Sequence, residues 1–207
     1  MNEPVRKRGR PRLLDREAGL AIAARLFWQR GYEGTSIADL TQAMGITPPS
    51  LYATYGSKEN LYQLALDHTI AQETGKRAEA MAAAIPAYQA LALYLHDVAQ
   101  GISDPAKPRG CMVSNAVLQH AVENENVAQA VAARRELSIG AMKARFDRAV
   151  AEGDLPAATD TDTLARFYSA VVQGMSAQAC DGACTAALQK LVDVALSAWP
   201  GQRPGAA

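Results

Sequence analysis

The stretch MGITPPSLYATYGSKENLY, residues 44–62, decides how the chain is read. Two adjacent prolines, Pro48 and Pro49, open a segment of otherwise helical composition, and Gly56 closes it. The first four N–H groups of a helix have no intrahelical acceptor, so proline there loses nothing and its fixed φ favours entry. Thr47 stands just ahead, in the N-cap position. The spacing predicts a helix of about eight residues, roughly 12 Å long at about 1.5 Å per residue. A helix that short is not stable alone, so neighbours must hold it.

Three residues, Gly45–Ile46–Thr47, separate it from the helix before. Two helices joined by three residues that include glycine fit a helix-turn-helix, whose second helix enters the DNA major groove. Ile46 then fills the angle and Leu51 faces the core. Ser50, Tyr52, Ala53 and Tyr55 are left to face outward or sideways. A tyrosine hydroxyl can donate to a phosphate oxygen while its ring lies against sugar; the alternative is that Tyr52 and Tyr55 are partly core. Lys58 follows Ser57 in the first turn of the next helix, where a cation is unfavourable by roughly 0.3–1 kcal/mol. A DNA phosphate would reverse that sign, meeting free N–H groups and the ammonium together.

Charge supports this polarity. The 207 residues carry a formal net charge of zero. Residues 1–60 hold nine Lys/Arg against six Asp/Glu, a balance of +3, so the remainder holds −3. Arg6, Lys7, Arg8, Arg10 and Arg12 crowd the first twelve residues against Glu3 alone. A basic arm on a neutral body points to a polyanion partner at one end, or else to a solubilising tail. Arginines around Gly9 and Pro11 make an extended arm that can lie in a narrow minor groove.

The rest of the chain also reads as helix. Alanine and leucine abound, and apolar residues recur at spacings of three and four. Helices are expected over 15–31, 36–45, 48–55 and from Ser57 onward, the last loosening near Gly75. Ser36 and Asp39 resemble a capping box. Beyond Pro86 come a helix through Val98, a loop at 103–110, a short helix over 111–121 and a long one over 126–152. Two more follow, over 161–180 and 184–199. The expected organisation is a disordered basic arm (1–12), a three-helix DNA-binding domain (13–60), an effector-binding and dimerisation domain (61–200) and a disordered tail (201–207).

The stretch AARLFWQRGYEGTSIADLTQAMGITPPSLYATYGSKENLYQLAL closely resembles the N-terminal domain of the TetR/AcrR family of bacterial transcriptional regulators. The likeness covers about residues 12–66 and includes Phe27, Gly31, Tyr32, Thr35, Ile37, Gly45, Leu51, Tyr52, Tyr55 and Lys58. Pro49–Ser50 stands where many members have Gly-Thr or Gly-Ala, which leaves the base contacts open. PRGCMVSNA and DTLARFYSAVVQGMSAQACDG resemble one subgroup's effector segments. The resemblance implies an all-α fold of about nine helices, a homodimer through the last two, a ligand cavity among the middle helices, and repression relieved by an effector. It implies DNA contacts from Thr35, Thr47, Pro48, Ser50, Tyr52, Tyr55 and Lys58, with Arg8, Arg10 and Arg12 adding affinity.

In the effector half, Leu164, Phe167, Tyr168, Val171, Val172 and Met175 form a stripe wide enough for both a core and a dimer face. Tyr94, Leu95, Val98, Cys111, Met112, Asn115, His120, Met142, Phe146 and Tyr168 would give a mostly apolar cavity with a few polar handles. For each of them alone, ordinary core is the commoner fate. Cys111 follows Arg109–Gly110 at an expected helix N-terminus, where a thiol pKa could be lowered. In some regulators of the family a cysteine at the matching position senses electrophiles or oxidants; the alternative is a small buried hydrophobe.

Other classes have little support. No run of 18 apolar residues occurs, and the basic N-terminus lacks an apolar stretch, so neither a membrane span nor a secretory signal is expected. Three cysteines, an odd count, suit a reduced cytoplasmic protein, and Cys180 and Cys184 lack neighbouring histidines for a zinc site. No Gly-rich phosphate loop or hydrolase signature occurs, and His68, His96 and His120 are scattered. The expected protein is a dimeric, effector-responsive DNA-binding regulator without metal, cofactor or catalytic residues. The rival readings are a helical enzyme or small-molecule carrier, and a protein-interaction adaptor.

Overall fold

The computed structural model of the chain describes residues 15–116, 118 and 120–201, with Lys76 described by its backbone alone. Arg8, Arg10 and Arg12, and the tail beyond Gly201, lie outside the described residues. Among the described residues the architecture is all-helical, with eight α-helices and one 3-10 turn. They are α1 (Arg16–Arg30), α2 (Ile37–Met44), α3 (Pro48–Tyr55), α4 (Lys58–Ala82), α5 (Ala87–Ile102), α6 (Glu125–Glu152), α7 (Thr161–Cys180) and α8 (Thr185–Leu196). The 3-10 turn, Val122–Asn124, precedes α6.

Local chemistry sets the early boundaries. Asp15 caps α1, accepting from the Glu17 amide at 3.2 Å. Ser36 and Asp39 form a reciprocal capping box at the start of α2. Gly45, at φ 67° and ψ 30°, ends α2 in the left-handed region, and Ile46 N–H donates back to Thr41 C=O at 3.1 Å. That is a Schellman closure, and it lets α3 start after three residues. Ser57 caps α4 through the Asn60 amide at 3.0 Å.

Two apolar clusters organise the molecule. The first joins Phe27, Leu40, Leu51 and Tyr55 of the opening helices to Leu61, Tyr62 and Leu66 of α4. Met112, Ala116, Val127 and Val131 from the later chain enter the same cluster. Phe27, Tyr32 and Tyr62 form an aromatic trio within it, with Phe27 and Tyr62 edge to face at 4.9 Å. The second cluster packs α5 to α8 around Leu95, Phe146, Tyr168 and Trp199.

Two expectations are corrected. α4 does not loosen at Gly75 but runs unbroken to Ala82. A mid-helix glycine costs about 1 kcal/mol relative to alanine, and side chains tie down the turns around it. Glu73 pairs with Arg77 at 3.5 Å and with Lys107 at 2.6 Å. Arg148 and Arg145 take the Ala83 and Ile85 carbonyls just past the helix end, at 2.9 and 2.7 Å. Among the described residues of 111–121 the expected helix is replaced by turns and bends. There Cys111 N–H donates to Ser176 Oγ at 2.7 Å, and Arg135 Nη1 takes the Val113 and Ala116 carbonyls at 3.3 and 3.0 Å. Groups from α7 and α6 thus satisfy the backbone that an intrahelical ladder would have used.

Candidate DNA interface and effector cavity

α3 has two distinct faces. Leu51 and Tyr55, one turn apart, are 0% and 2% exposed. Thr47, Pro48, Ser50, Tyr52, Ala53 and Thr54 lie outside, with Tyr52 47% exposed. Ser50 and Tyr52 therefore take the outward positions expected of them, and Thr54 joins a face that had not included it.

Two expected contacts take other roles, and Thr47 stays outside without its expected cap bond. Tyr55 points inward: its hydroxyl donates to the Arg16 carbonyl at 2.9 Å, and burial pushes its phenol pKa up. Thr35 is fully buried, donating to the Gly31 carbonyl at 2.8 Å to close the α1–α2 turn. Thr47 holds the N-cap backbone conformation, but its hydroxyl makes no cap bond. Pro48 and Pro49 have no N–H, so the first turn holds fewer donors for a cap to satisfy.

Lys58 is the first residue of α4. Its ammonium sits 4.2 Å from the centre of the Tyr32 ring, a cation–π contact. Burial lowers its pKa, and the Glu33 carboxylate opposes that. Glu33 has a second task. It accepts from the Ala121 amide at 2.8 Å and from Asn124 Nδ2 at 2.7 Å, tying the α1–α2 turn to the segment before α6. Those bonds hold its pKa low.

A cavity of about 240 Å³ lies against α4 to α7. Tyr94, Val98, Cys111, Met112 and Met142 line it, as their types suggested. Leu95, Phe146 and Tyr168 do not; they are fully buried in the second cluster. Asn115 and His120 are also absent from the lining. Asn115 Nδ2 donates to Cys180 Sγ at 3.1 Å, and His120 pairs with Glu125 at 2.9 Å. Cys111 lines the cavity just ahead of a series of turns, not at the helix N-terminus expected for it. Cys180 has its pKa raised chiefly by burial, with the Asn115 hydrogen bond opposing.

Sequence reasoning missed several wall residues, among them Arg77, Glu73, Thr69, Arg135 and Trp28. Arg77 joins Asp97 at 2.7 Å and Glu73 at 3.5 Å, so its charge is matched. Tyr94 is half-buried in this wall; burial raises its phenol pKa, and Arg77 opposes. Trp28 belongs to α1 and enters the wall from the opening helices.

A short, proline-opened rod held by its neighbouring helices, with a mostly apolar cavity in the helices behind, defines a one-component helix-turn-helix regulator. Residues 20–65 match the family described as bacterial regulatory proteins, tetR family, and residues 87–193 match the tetracyclin repressor-like C-terminal domain. The chain belongs to the TetR family. It is 33% identical over 196 residues to the HTH-type transcriptional repressor ComR of Escherichia coli K12, covering 94% of this chain and 93% of that one. It is 30% identical over 174 residues to the repressor BdcR of the same organism, covering 84% and 83%. A solved structure of the TetR-family regulator CifR, a cysteine mutant complexed with 26-bp double-strand operator DNA, is 43% identical. It superposes with a TM-score of 0.88 over 93% of this chain and 100% of that chain.

Proposed function

We propose that this chain is a homodimeric transcriptional repressor that holds a near-palindromic operator and leaves it when a small, mostly apolar effector fills the cavity. The observation that carries the reading is the division of α3 into a buried anchor face and an exposed polar face. A rod that enters a groove needs both: apolar residues behind to fix its angle, hydrogen-bonding residues in front to meet bases and phosphates. Ser50 and Tyr52 supply the front, with Thr47 and Pro48 at its leading end. Lys58 serves a phosphate at the start of α4, exchanging the Tyr32 ring for an anion. Arg8, Arg10 and Arg12 add minor-groove affinity. The repressors ComR and BdcR and the operator complex of CifR support the same reading.

Dimerisation supplies the second half-site. Phe167, Ala170, Gly174 and Ala177 recur at helical spacing on the exposed side of α7, and Val194 of α8 is 71% exposed. Small residues around one aromatic suit close helix packing across a twofold axis. The domains of this reading are a basic arm at 1–12, a DNA-binding unit at 13–60 and an effector and dimer unit at 61–200. Its workplace is the cytoplasm, where the bacterial chromosome lies; among the described residues no helix is long and apolar enough to cross a membrane. No catalytic step is assigned to it.

The test is a mobility-shift titration with DNA upstream of the chain's own coding region, at two salt concentrations. Specific binding should exceed binding to unrelated DNA by about 10³-fold or more, and should weaken steeply with salt. Equal, weak binding to both DNAs would reject the reading.

A further inference from the structure

One carboxylate ties the DNA-binding unit to the effector unit. Glu33 Oε1 accepts from the Ala121 amide at 2.8 Å and from Asn124 Nδ2 at 2.7 Å. Both donors belong to the segment just ahead of α6, which follows the cavity-lining stretch 110–114 in the chain. Arg135, on α6 and in the same cavity wall, holds the Val113 and Ala116 carbonyls that precede it. Asn124 stands at the N-cap position of α6 yet makes no cap bond. A capping side chain normally serves its own helix; this one serves the other unit.

Lys58 lies within electrostatic reach of the same carboxylate, and each shifts the other's pKa. Its ammonium rests on the ring of Tyr32, the residue beside Glu33, and makes no ion pair among the described residues. His120 also lowers the Glu33 carboxyl, but its ring is held by Glu125 at 2.9 Å. A cation on an aromatic face stays open to an incoming anion. Once parted from its two N–H donors, the Glu33 carboxylate keeps its charge and loses its partners, and the Lys58 ammonium offers the opposite charge.

We propose that Glu33 is a positioning residue with two alternative partners. Held by Ala121 and Asn124, it leaves Lys58 to a DNA phosphate; released, it pairs with Lys58 and takes that contact away. The inference rests on Lys58 serving a phosphate, as proposed above. It also gives the cavity a route to DNA. An occupant that displaces the 110–114 stretch moves the segment carrying both donors, and Glu33 is let go.

The latch can be opened without an effector. Ala121 has φ −70° and ψ 152°, which proline adopts, so A121P deletes its N–H and keeps the backbone path. N124A removes the second donor and no cap bond. Binding of a fluorescent duplex, the DNA upstream of the chain's own coding region, is followed by anisotropy at several salt concentrations. A121P/N124A should weaken binding roughly 3–10-fold and lower the slope of log K against log salt by up to about one. E33Q keeps an acceptor oxygen at the position but cannot neutralise Lys58. In the E33Q background, and likewise in K58A, the same two changes should leave affinity within about twofold of the background, since no phosphate contact is left for them to remove. Equal weakening in wild type, E33Q and K58A marks a merely structural tie and overturns the proposal, as does no weakening in wild type. K58A that binds like wild type removes the phosphate contact and this proposal with it. A weakened K58A beside an inert A121P/N124A overturns the latch and leaves the phosphate contact standing. Should A121P lose its helicity by circular dichroism, N124A alone carries the comparison: about threefold weaker binding in wild type and none in E33Q is expected from partial loss of the one contact, and equal effects in both overturn the proposal.

Discussion

Replacing Tyr55 by Phe separates a core tyrosine from a DNA-contacting one. The ring is 2% exposed, and its hydroxyl donates to the Arg16 carbonyl at 2.9 Å. Phenylalanine keeps the ring and its packing and removes one hydrogen bond. The Arg16 carbonyl lies in the first turn of α1 and has an intrahelical donor available four residues on, so it is not orphaned. The loss is then the net worth of a single bond, about 0.5–1.5 kcal/mol. For a chain of this size, 1 kcal/mol corresponds to about 2–4 °C in Tm, so the midpoint should fall by roughly 1–6 °C. Thermal unfolding followed by circular dichroism, at fixed protein concentration, reads that shift. Fluorescence anisotropy with operator DNA at 20 °C, far below the transition, should show affinity unchanged within about twofold. An unchanged midpoint together with a tenfold weaker DNA complex would refute the placement and return Tyr55 to the groove.

Lys58→Ala should weaken binding about equally on all DNA sequences and lower the slope of log K against log salt by about one per lost phosphate contact, measured by anisotropy at several salt concentrations. Gly174→Glu places a charge on the exposed side of α7, where an added Cβ meets nothing within 4 Å. Light scattering should then give a mass near 22.0 kDa in place of twice that, with helicity retained. Asp39 has its pKa held low, first by the Ser36 hydroxyl and amide and then by Arg30. A lowered folded-state pKa gives stability that is present above the ordinary carboxylate value of about 3.9 and lost as pH falls through the folded value. Asp39→Asn should therefore be less stable than wild type at pH 7, and the difference should shrink as the denaturation series is carried to acid pH.

What the sequence disclosed was local. The capping box at Ser36 and Asp39, the left-handed Gly45 and the prolines opening α3 obey rules spanning a few residues, and each sits where those rules put it. Tyr55 was legible in principle, since Leu51 and Tyr55 stand four apart and must share a face, though a phenol hydroxyl suits a phosphate contact and a buried hydrogen bond alike. The turns at 112–116 were not legible, because the groups that replace a helical ladder there come from Arg135 and Ser176, far along the chain. The cavity divides the same way. Residue type pointed to Tyr94, Val98, Cys111, Met112 and Met142, but periodicity cannot tell a cavity wall from the core behind it, where Leu95, Phe146 and Tyr168 lie. Trp28 enters from the other cluster, which no pattern within α1 reveals.

Operator recognition requires α3 to be offered twice, by a symmetric pair, to the wide groove of one DNA duplex. Guanine N7 faces that groove, so dimethyl sulfate protection on the upstream DNA reads the contact directly. Two protected patches should be found, their centres separated by about 10–10.5 base pairs or a multiple, and both should fade together in Tyr52→Ala. A single patch, or binding that leaves every guanine N7 as reactive as in free DNA, would contradict it.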